Sequence, residues 1–318
     1  MSWRNGGYIS VVLVAVGAAL WGTDSILRVP LLENMSPPAI VLSEHLVLLA
    51  YSVPAVAFSW EVFRGFKISQ WVALLVIGWG GSAIATLLFT MALAVGNPTV
   101  AILLQKTQPL FAIVLASILL RERLGLWYWG AFAVAVIGAY LISFGDLKPF
   151  GELRTGEIIT ALLALGAALL WGSSTVLGRF VLKDMPFHTL TGARLLVALP
   201  LLAVIAAAQD SLRQIGVGFR TEPGMLVLLA LIPGLLALLL YYRGLTGTRA
   251  SFATLAELTF PATAVVLNWA FLSVGVSVNQ ILGFVLLWGA VFVLGYLNSR
   301  EPKPRSSATH VIGADQTR

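Results

Sequence analysis

Four ionisable residues lie well inside long apolar stretches: Glu44, Lys106, Arg194 and Glu257. A charge at membrane depth costs at least about 2.5–3.5 kcal/mol unless it is paired or hydrated. Counted from the helix starts, Glu44 and Lys106 share one depth, and Arg194 and Glu257 share another. The spacing therefore predicts two buried ion pairs, Glu44–Lys106 and Arg194–Glu257. Such pairs either only lock helix packing or border a substrate path and open during transport.

Asp24 is a fifth ionisable residue inside an apolar stretch, and Ser174 stands at the matching position 150 residues later. A carboxylate without a charged counterpart is a candidate for contact with a substrate amine or for proton coupling. The alternative is a carboxylate that only bonds water or a neighbouring helix.

Trp21 and Trp171 are also 150 residues apart, and each precedes a glycine. We expect these indoles to wall a central cavity from two sides, unless they serve only packing. Further candidates for the cavity lining are Trp79, Gln105, Gln108, Ser174, Tyr241 and Asn268.

Prolines mark three candidate hinges, because a proline loosens the helical hydrogen-bond ladder. Pro109 and Pro261 lie at corresponding places in the two halves, and Pro233 precedes a glycine in another apolar stretch. Paired breaks in corresponding membrane helices are a sequence indicator of a binding site.

Composition places these residues in a membrane. The chain is 58% hydrophobic and 11% charged, whereas soluble domains carry about 25% charged residues. Its net charge of +6 is not concentrated on any soluble segment, so nucleic-acid binding is not expected. The sequence has no cysteine, no glycine-rich phosphate loop and no His/Glu metal spacing, so we predict neither an enzyme nor a cofactor or metal site.

The apolar stretches predict an all-α membrane protein of ten transmembrane helices. They form two five-helix repeats, residues 8–145 and 156–298, followed by a disordered cytoplasmic tail over 299–318. The stretches are 8–31, 37–60, 69–93, 98–120, 125–144, 157–181, 187–208, 223–243, 249–272 and 278–298.

Most of the 20 Lys and Arg residues fall on the side of the termini, which predicts that both termini are cytoplasmic in the cell (inner or plasma) membrane. Five helices per repeat is an odd number, so the second repeat is predicted to be inverted relative to the first, around a central cavity.

The order of the motifs resembles the drug/metabolite transporter superfamily in its EamA-type branch. The similarity includes Trp-Gly at 21–22 and 171–172, Leu119-Leu-Arg-Glu122-Arg-Leu124, and Glu257-Leu-Thr-Phe-Pro261. The second repeat departs from the pattern, with Val274-Gly275-Val276-Ser277 in place of the Arg-Glu motif. The resemblance implies alternating access and export of amino acids, other metabolites or drugs, without fixing the substrate.

These observations together predict a secondary transporter that exports a small metabolite such as an amino acid. One alternative is a multidrug or lipophilic-cation exporter. Another, from a different class, is a membrane-embedded enzyme or lipid-handling protein. The expected partners are a small-molecule substrate and the lipid bilayer, and a homodimer is left open.

Overall fold

The structure is a computed structural model that describes residues 5–95, 98–122, 124–143, 155–260, 262–263, 266–267 and 277–300. Within these ranges every regular element is a helix. This is what an apolar chain requires, since backbone groups in lipid must find their hydrogen bonds internally. The predicted residues Pro261 and Asn268 lie outside the described ranges.

The first half contains nine α-helices and one π-helix in its described part. In chain order these are α1 (Asn5–Trp21), α2 (Asp24–Leu31), α3 (Pro37–Ala57), α4 (Trp60–Arg64), α5 (Ile68–Leu75), the π-helix Val76–Ile84, α6 (Ala85–Val95), α7 (Pro98–Gln105), α8 (Gln108–Leu119) and α9 (Leu126–Ser143).

The second half contains a similar series of elements, with a π-helix again in its middle. The elements are α10 (Thr155–Val181), α11 (Phe187–Ala208), α12 (Leu212–Thr221), α13 (Pro223–Leu229), the π-helix Ala230–Leu236, α14 (Ala237–Leu245), α15 (Ala250–Ala256), the 3₁₀ turn Glu257–Thr259 and α16 (Val278–Arg300).

In the part of the chain that the structure describes, six helical segments are long and apolar enough to cross a membrane. They are Gly7–Leu31, Pro37–Ala57, Ile68–Val95, Ile158–Val181, Phe187–Ala208 and Pro223–Leu245. Three shorter apolar helices accompany them, at Gln108–Leu119, Leu126–Ile142 and Val278–Leu294.

The helices of one half pack against those of the other in a reciprocal pattern. Helix α1 contacts α14 and α15, while α10 contacts α6 and α8; α3 packs on α11, and α9 packs on α16. Glycines permit the closest approaches. A Cβ atom at Gly138 would lie 2.8 Å from the Gly283 carbonyl, and one at Gly283 would lie 2.7 Å from the Gly138 carbonyl. Such close backbone contact gives dispersion attraction in lipid, where no hydrophobic force drives helices together.

Three breaks interrupt helices near the centre of the fold, and each carries a threonine. Thr23 Oγ1 donates to the Leu20 carbonyl at 2.7 Å, and Thr107 Oγ1 donates to the Leu104 carbonyl at 2.6 Å. In the second half, Thr259 Oγ1 donates to carbonyls of its own turn and of α1 at 2.9 and 2.7 Å. The threonine hydroxyls thus add hydrogen bonds to backbone carbonyls at and beside these breaks.

Glu122 connects the α8–α9 loop to the start of α15 in the other half. Its carboxylate accepts hydrogen bonds from the backbone N–H groups of Ala250 and Ser251 at 3.0 and 3.2 Å, and from the Ser251 hydroxyl. Tyr128 in α9 adds a bond from its hydroxyl to the Ser251 carbonyl at 2.9 Å. A carboxylate suits this position because the first N–H groups of a helix have no intrahelical partner.

Candidate substrate cavity

A partly open cavity lies between the two halves. Its wall includes most of the residues that the sequence predicted for it and three of the four buried charges. These are Trp21, Asp24, Gln105, Gln108, Trp171, Ser174 and Tyr241, the charged residues Glu44, Arg194 and Glu257, and the hinge candidate Pro233.

The first polar group in the wall is the Arg28 cluster, formed by Asp24, Arg28, Glu44 and Thr90. The Arg28 guanidinium donates to both Asp24 oxygens at 2.7 and 2.6 Å, and to Glu44 Oε2 at 3.0 Å. Its remaining terminal nitrogen donates to Thr90 Oγ1 at 3.3 Å. Side-chain exposure is 2% for Arg28, 15% for Asp24 and 8% for Glu44. With all three groups ionised, one cation holds two carboxylates and the cluster carries one net negative charge.

The second polar group is the Glu257 cluster, formed by Gln108, Thr175, Tyr241 and Glu257. Tyr241 donates its hydroxyl hydrogen to Glu257 Oε1 at 2.6 Å, and Thr175 Oγ1 lies 3.3 Å from the same oxygen. Gln108 Nε2 donates to the other carboxylate oxygen. Neutral donors from three helices therefore surround this carboxylate, and it has no cation within 4.0 Å in the described part of the chain.

Arg194 occupies a third place in the wall. Its Nε donates to Ser82 Oγ at 2.7 Å, and its Nη1 donates to the Tyr242 hydroxyl at 2.7 Å. Both partners are neutral. A hypothetical Cβ at Gly81 would collide with the Ser174 hydroxyl and lie 3.1 Å from Arg194 Nη2. Glycine at 81 thus keeps the space beside the guanidinium open.

Two aromatic pairs, one from each repeat-equivalent tryptophan, complete the wall. Trp21 packs on Tyr241 with ring centroids 5.0 Å apart, and Trp171 packs on Phe89 at 5.4 Å. The Trp171 indole also donates to the Gly81 carbonyl at 2.9 Å. All four rings line the cavity, so it presents flat aromatic surfaces beside hydrogen-bonding groups.

The predicted ion pairs were wrong. Glu44 pairs with Arg28 and not with Lys106, and Arg194 and Glu257 each bind neutral groups. Lys106 lies in the break after α7, where its Nζ is 3.2 Å from the centroid of the Phe260 ring and 3.2 Å from Gln105 Oε1. The physical reason is local. The short helix α2 places Arg28 one turn after Asp24 and within 3.0 Å of Glu44, so Arg28 takes the place predicted for Lys106.

The prediction for Trp79 was also wrong, because this residue does not line the cavity. Its ring is 41% exposed, and its Nε1 donates to the Val197 carbonyl at 3.0 Å. Trp79 lies inside the π-helix Val76–Ile84, where the turn is wider than in an α-helix. Gly81 and Ser82 face the cavity instead.

The hinge candidates lie at the interruptions. Pro109 is in the first turn of α8, directly after the break at Lys106–Thr107, and Pro233 is inside the π-helix Ala230–Leu236. The break after Trp21-Gly22 has no counterpart in α10, which runs unbroken through Gly172. This asymmetry creates α2 and places Arg28 at the cavity.

Several lining residues were not among the predicted site residues, and Arg28 is the main one. Its spacing of four from Asp24 was a readable signal for an ion pair. His45 also lines the cavity and was not among the predicted residues. Ser82, Thr86, Phe89, Thr175 and Tyr242 are further examples, and they carry no sequence signal that separates them from ordinary helix-packing residues.

An apolar helical protein with membrane-length segments and a polar central cavity has the features expected of a membrane transporter. A family model described as the EamA-like transporter family matches the chain twice, over residues 8–144 and 158–296. The chain belongs to the EamA-like transporter family. It is therefore a multi-pass membrane transporter for a small molecule, and not an enzyme.

The chain is also similar to individual proteins of this kind. It is 32% identical to the riboflavin transporter ImpX of Fusobacterium nucleatum over 90% of this chain and 97% of that protein. It is 30% identical to a riboflavin transporter of Rhizobium johnstonii, covering 64% of each chain. A solved crystal structure matches the fold with a TM-score of 0.71 at 17% identity, covering 91% of this chain and 98% of that one.

Proposed function

We propose that this protein is a secondary transporter that carries riboflavin across the membrane by alternating access. The observation that carries the proposal is the cavity itself, where two aromatic pairs and three polar groups line one space. Riboflavin combines a flat three-ring heterocycle with a flexible chain of hydroxyls. Aromatic side chains stack on such rings, and carboxylates and amides accept and donate hydrogen bonds to hydroxyls. The similarity to two riboflavin transporters supports the same cargo.

An amino acid, the cargo expected from the sequence, suits the cavity less well. That expectation relied on Asp24 as a carboxylate open to a substrate amine. In the structure both Asp24 oxygens accept from Arg28. A substrate ammonium group would have to displace the Arg28 guanidinium, which donates to both oxygens of Asp24. A bidentate guanidinium–carboxylate pair is stronger than a single ammonium–carboxylate contact.

The architecture that we propose is two inverted five-helix repeats, residues 8–145 and 156–298, with ten membrane crossings and both termini in the cytoplasm. Supporting this are the double match to the family model, the reciprocal packing of the halves and the two π-helices at corresponding places. Inverted repeats commonly hold the substrate near the bilayer midplane and rock about it. The interruptions at Pro109 and Pro233 are proposed to absorb that motion.

Reconstituted transport tests this proposal. Purified protein in proteoliposomes should take up riboflavin from outside, and loaded vesicles should release it, at rates that saturate and exceed those of protein-free liposomes. Comparing the two directions, with and without a pH gradient, also determines the preferred direction and any proton coupling. Saturable flux of an amino acid or a lipophilic cation without any riboflavin flux would refute the proposal.

A further inference from the structure

Arg194 is a buried cation whose hydrogen-bond partners are uncharged. Its residue is 6% exposed and lines the cavity, yet it bonds only the hydroxyls of Ser82 and Tyr242. Within the described ranges the ion pairs at 4.0 Å or less are those of Arg28. A buried cation normally has a carboxylate partner or binds something else. Arg194 therefore has unused donor capacity beside the cavity.

His45 lines the same cavity and is 3% exposed. Its Nδ1 lies 2.9 Å from the Val41 carbonyl, which makes Nδ1 the protonated nitrogen of the neutral ring. Nε2 is then an acceptor, and it is buried without a hydrogen-bond partner in the described structure. An orphaned buried acceptor is costly, so a ligand group that donated a hydrogen to this nitrogen would be favoured.

The two groups together define a ligand edge that accepts from Arg194 and donates to His45. An anion fits less well, because the His45 lone pair would repel it. In addition, the lining has the carboxyl groups of Asp24, Glu44 and Glu257 against only two guanidinium groups. A neutral imide, with a ring N–H between two carbonyls, has both functions. The pyrimidinedione end of a flavin is such an imide, and its N3–H is the donor.

We propose that Arg194 and His45 determine specificity by binding the imide edge of the flavin ring. Arg194 donates to a ring carbonyl, and His45 Nε2 accepts from N3–H. This inference rests on riboflavin being the cargo. It specifies that the protein recognises the imide end of riboflavin. The ribityl chain would bind the other polar groups of the wall.

The test uses 3-methylriboflavin, in which a methyl group replaces the hydrogen on N3 and the rest of the molecule is unchanged. In wild-type protein this analogue should compete with riboflavin at least about tenfold less well than riboflavin itself, because His45 loses its donor. Equal competition by the two compounds would overturn the proposal without any variant being needed. Absence of all riboflavin binding would instead overturn the proposed function.

Variants then show which residue discriminates between riboflavin and 3-methylriboflavin. His45→Ala should bring the competition ratio of the two compounds close to one, whereas Arg194→Gln should weaken both compounds together by about tenfold. Arg179→Gln is the matched control, since this arginine bonds the Thr246 carbonyl away from the cavity. A purely structural role would lower binding without changing the ratio, so a ratio retained in His45→Ala contradicts the proposal.

Discussion

Removing the Arg28 guanidinium is the sharpest perturbation that the structure offers. Arg28→Gln abolishes three bonds to carboxylates, at 2.7, 2.6 and 3.0 Å. It leaves Asp24 and Glu44 as neighbouring carboxylates with no cation between them. Removing one partner of a buried ion pair costs about 3–5 kcal/mol, so we expect a loss of that size in the free energy of unfolding.

Glu44→Gln should be much milder, because it leaves Arg28 and Asp24 as a neutral pair. It loses one charge-assisted hydrogen bond of about 1.5–3 kcal/mol. It also removes the repulsion between Glu44 and Asp24, which offsets part of that loss. The double variant Arg28→Gln/Glu44→Gln should be more stable than Arg28→Gln alone, since only one carboxylate is then without a cation. Residues in one ion-pair network typically show coupling of about 0.5–3 kcal/mol.

The assay is thermal unfolding of purified protein in lipid nanodiscs, with all variants under one condition. Arg179→Gln is the control for losing a guanidinium, because Arg179 bonds a backbone carbonyl at 2.8 Å and not a carboxylate. The reasoning is refuted if Arg28→Gln unfolds no earlier than Arg179→Gln. It is equally refuted if the double variant is less stable than Arg28→Gln.

Three further predictions use neighbouring or matched residues as controls. Gly81→Ala should impair riboflavin binding, because its Cβ would collide with a side chain of the cavity wall. Gly80→Ala should bind riboflavin normally, because its Cβ would meet its nearest neighbour at an ordinary 3.5 Å. Equal riboflavin affinities of the two variants in a binding titration would contradict this prediction. Trp171→Ala should weaken binding about tenfold or more through lost stacking, while Trp79→Ala should leave affinity unchanged, as the same titration will show. Glu122→Ala should lower thermal stability by about 1–2 kcal/mol by uncapping α15, with Glu122→Gln retaining part of that stability; an unchanged unfolding temperature would contradict the capping role.

The sequence predicted helical membrane structure and much of the cavity lining because apolar length and repetition are local properties. Trp21 and Trp171 could be placed in the wall because equivalent positions of a duplicated chain tend to face the same space. Pairing of charges is a different problem. The pairing depends on which helices pack side by side. Here the break at Gly22-Thr23 separates α2 from α1, and Arg28 of α2 bonds Glu44.

Trp79 shows a second limit of sequence reasoning. Helical periodicity assumes a regular turn, and the π-helix Val76–Ile84 changes that turn within a run of glycines. The sequence shows that such a run permits an irregular helix but not which side chain then faces inward. His45 illustrates a third limit, since an unpartnered ring nitrogen becomes visible only when all of its neighbours are placed.

The central claim, that this cavity is a riboflavin site, is tested most directly by titrating purified protein with riboflavin and following the fluorescence of the flavin. The account predicts saturable quenching with one riboflavin bound per chain, weakened by Gly81→Ala and not by Gly80→Ala. Unsaturable quenching, or binding that both variants leave unchanged, would contradict it.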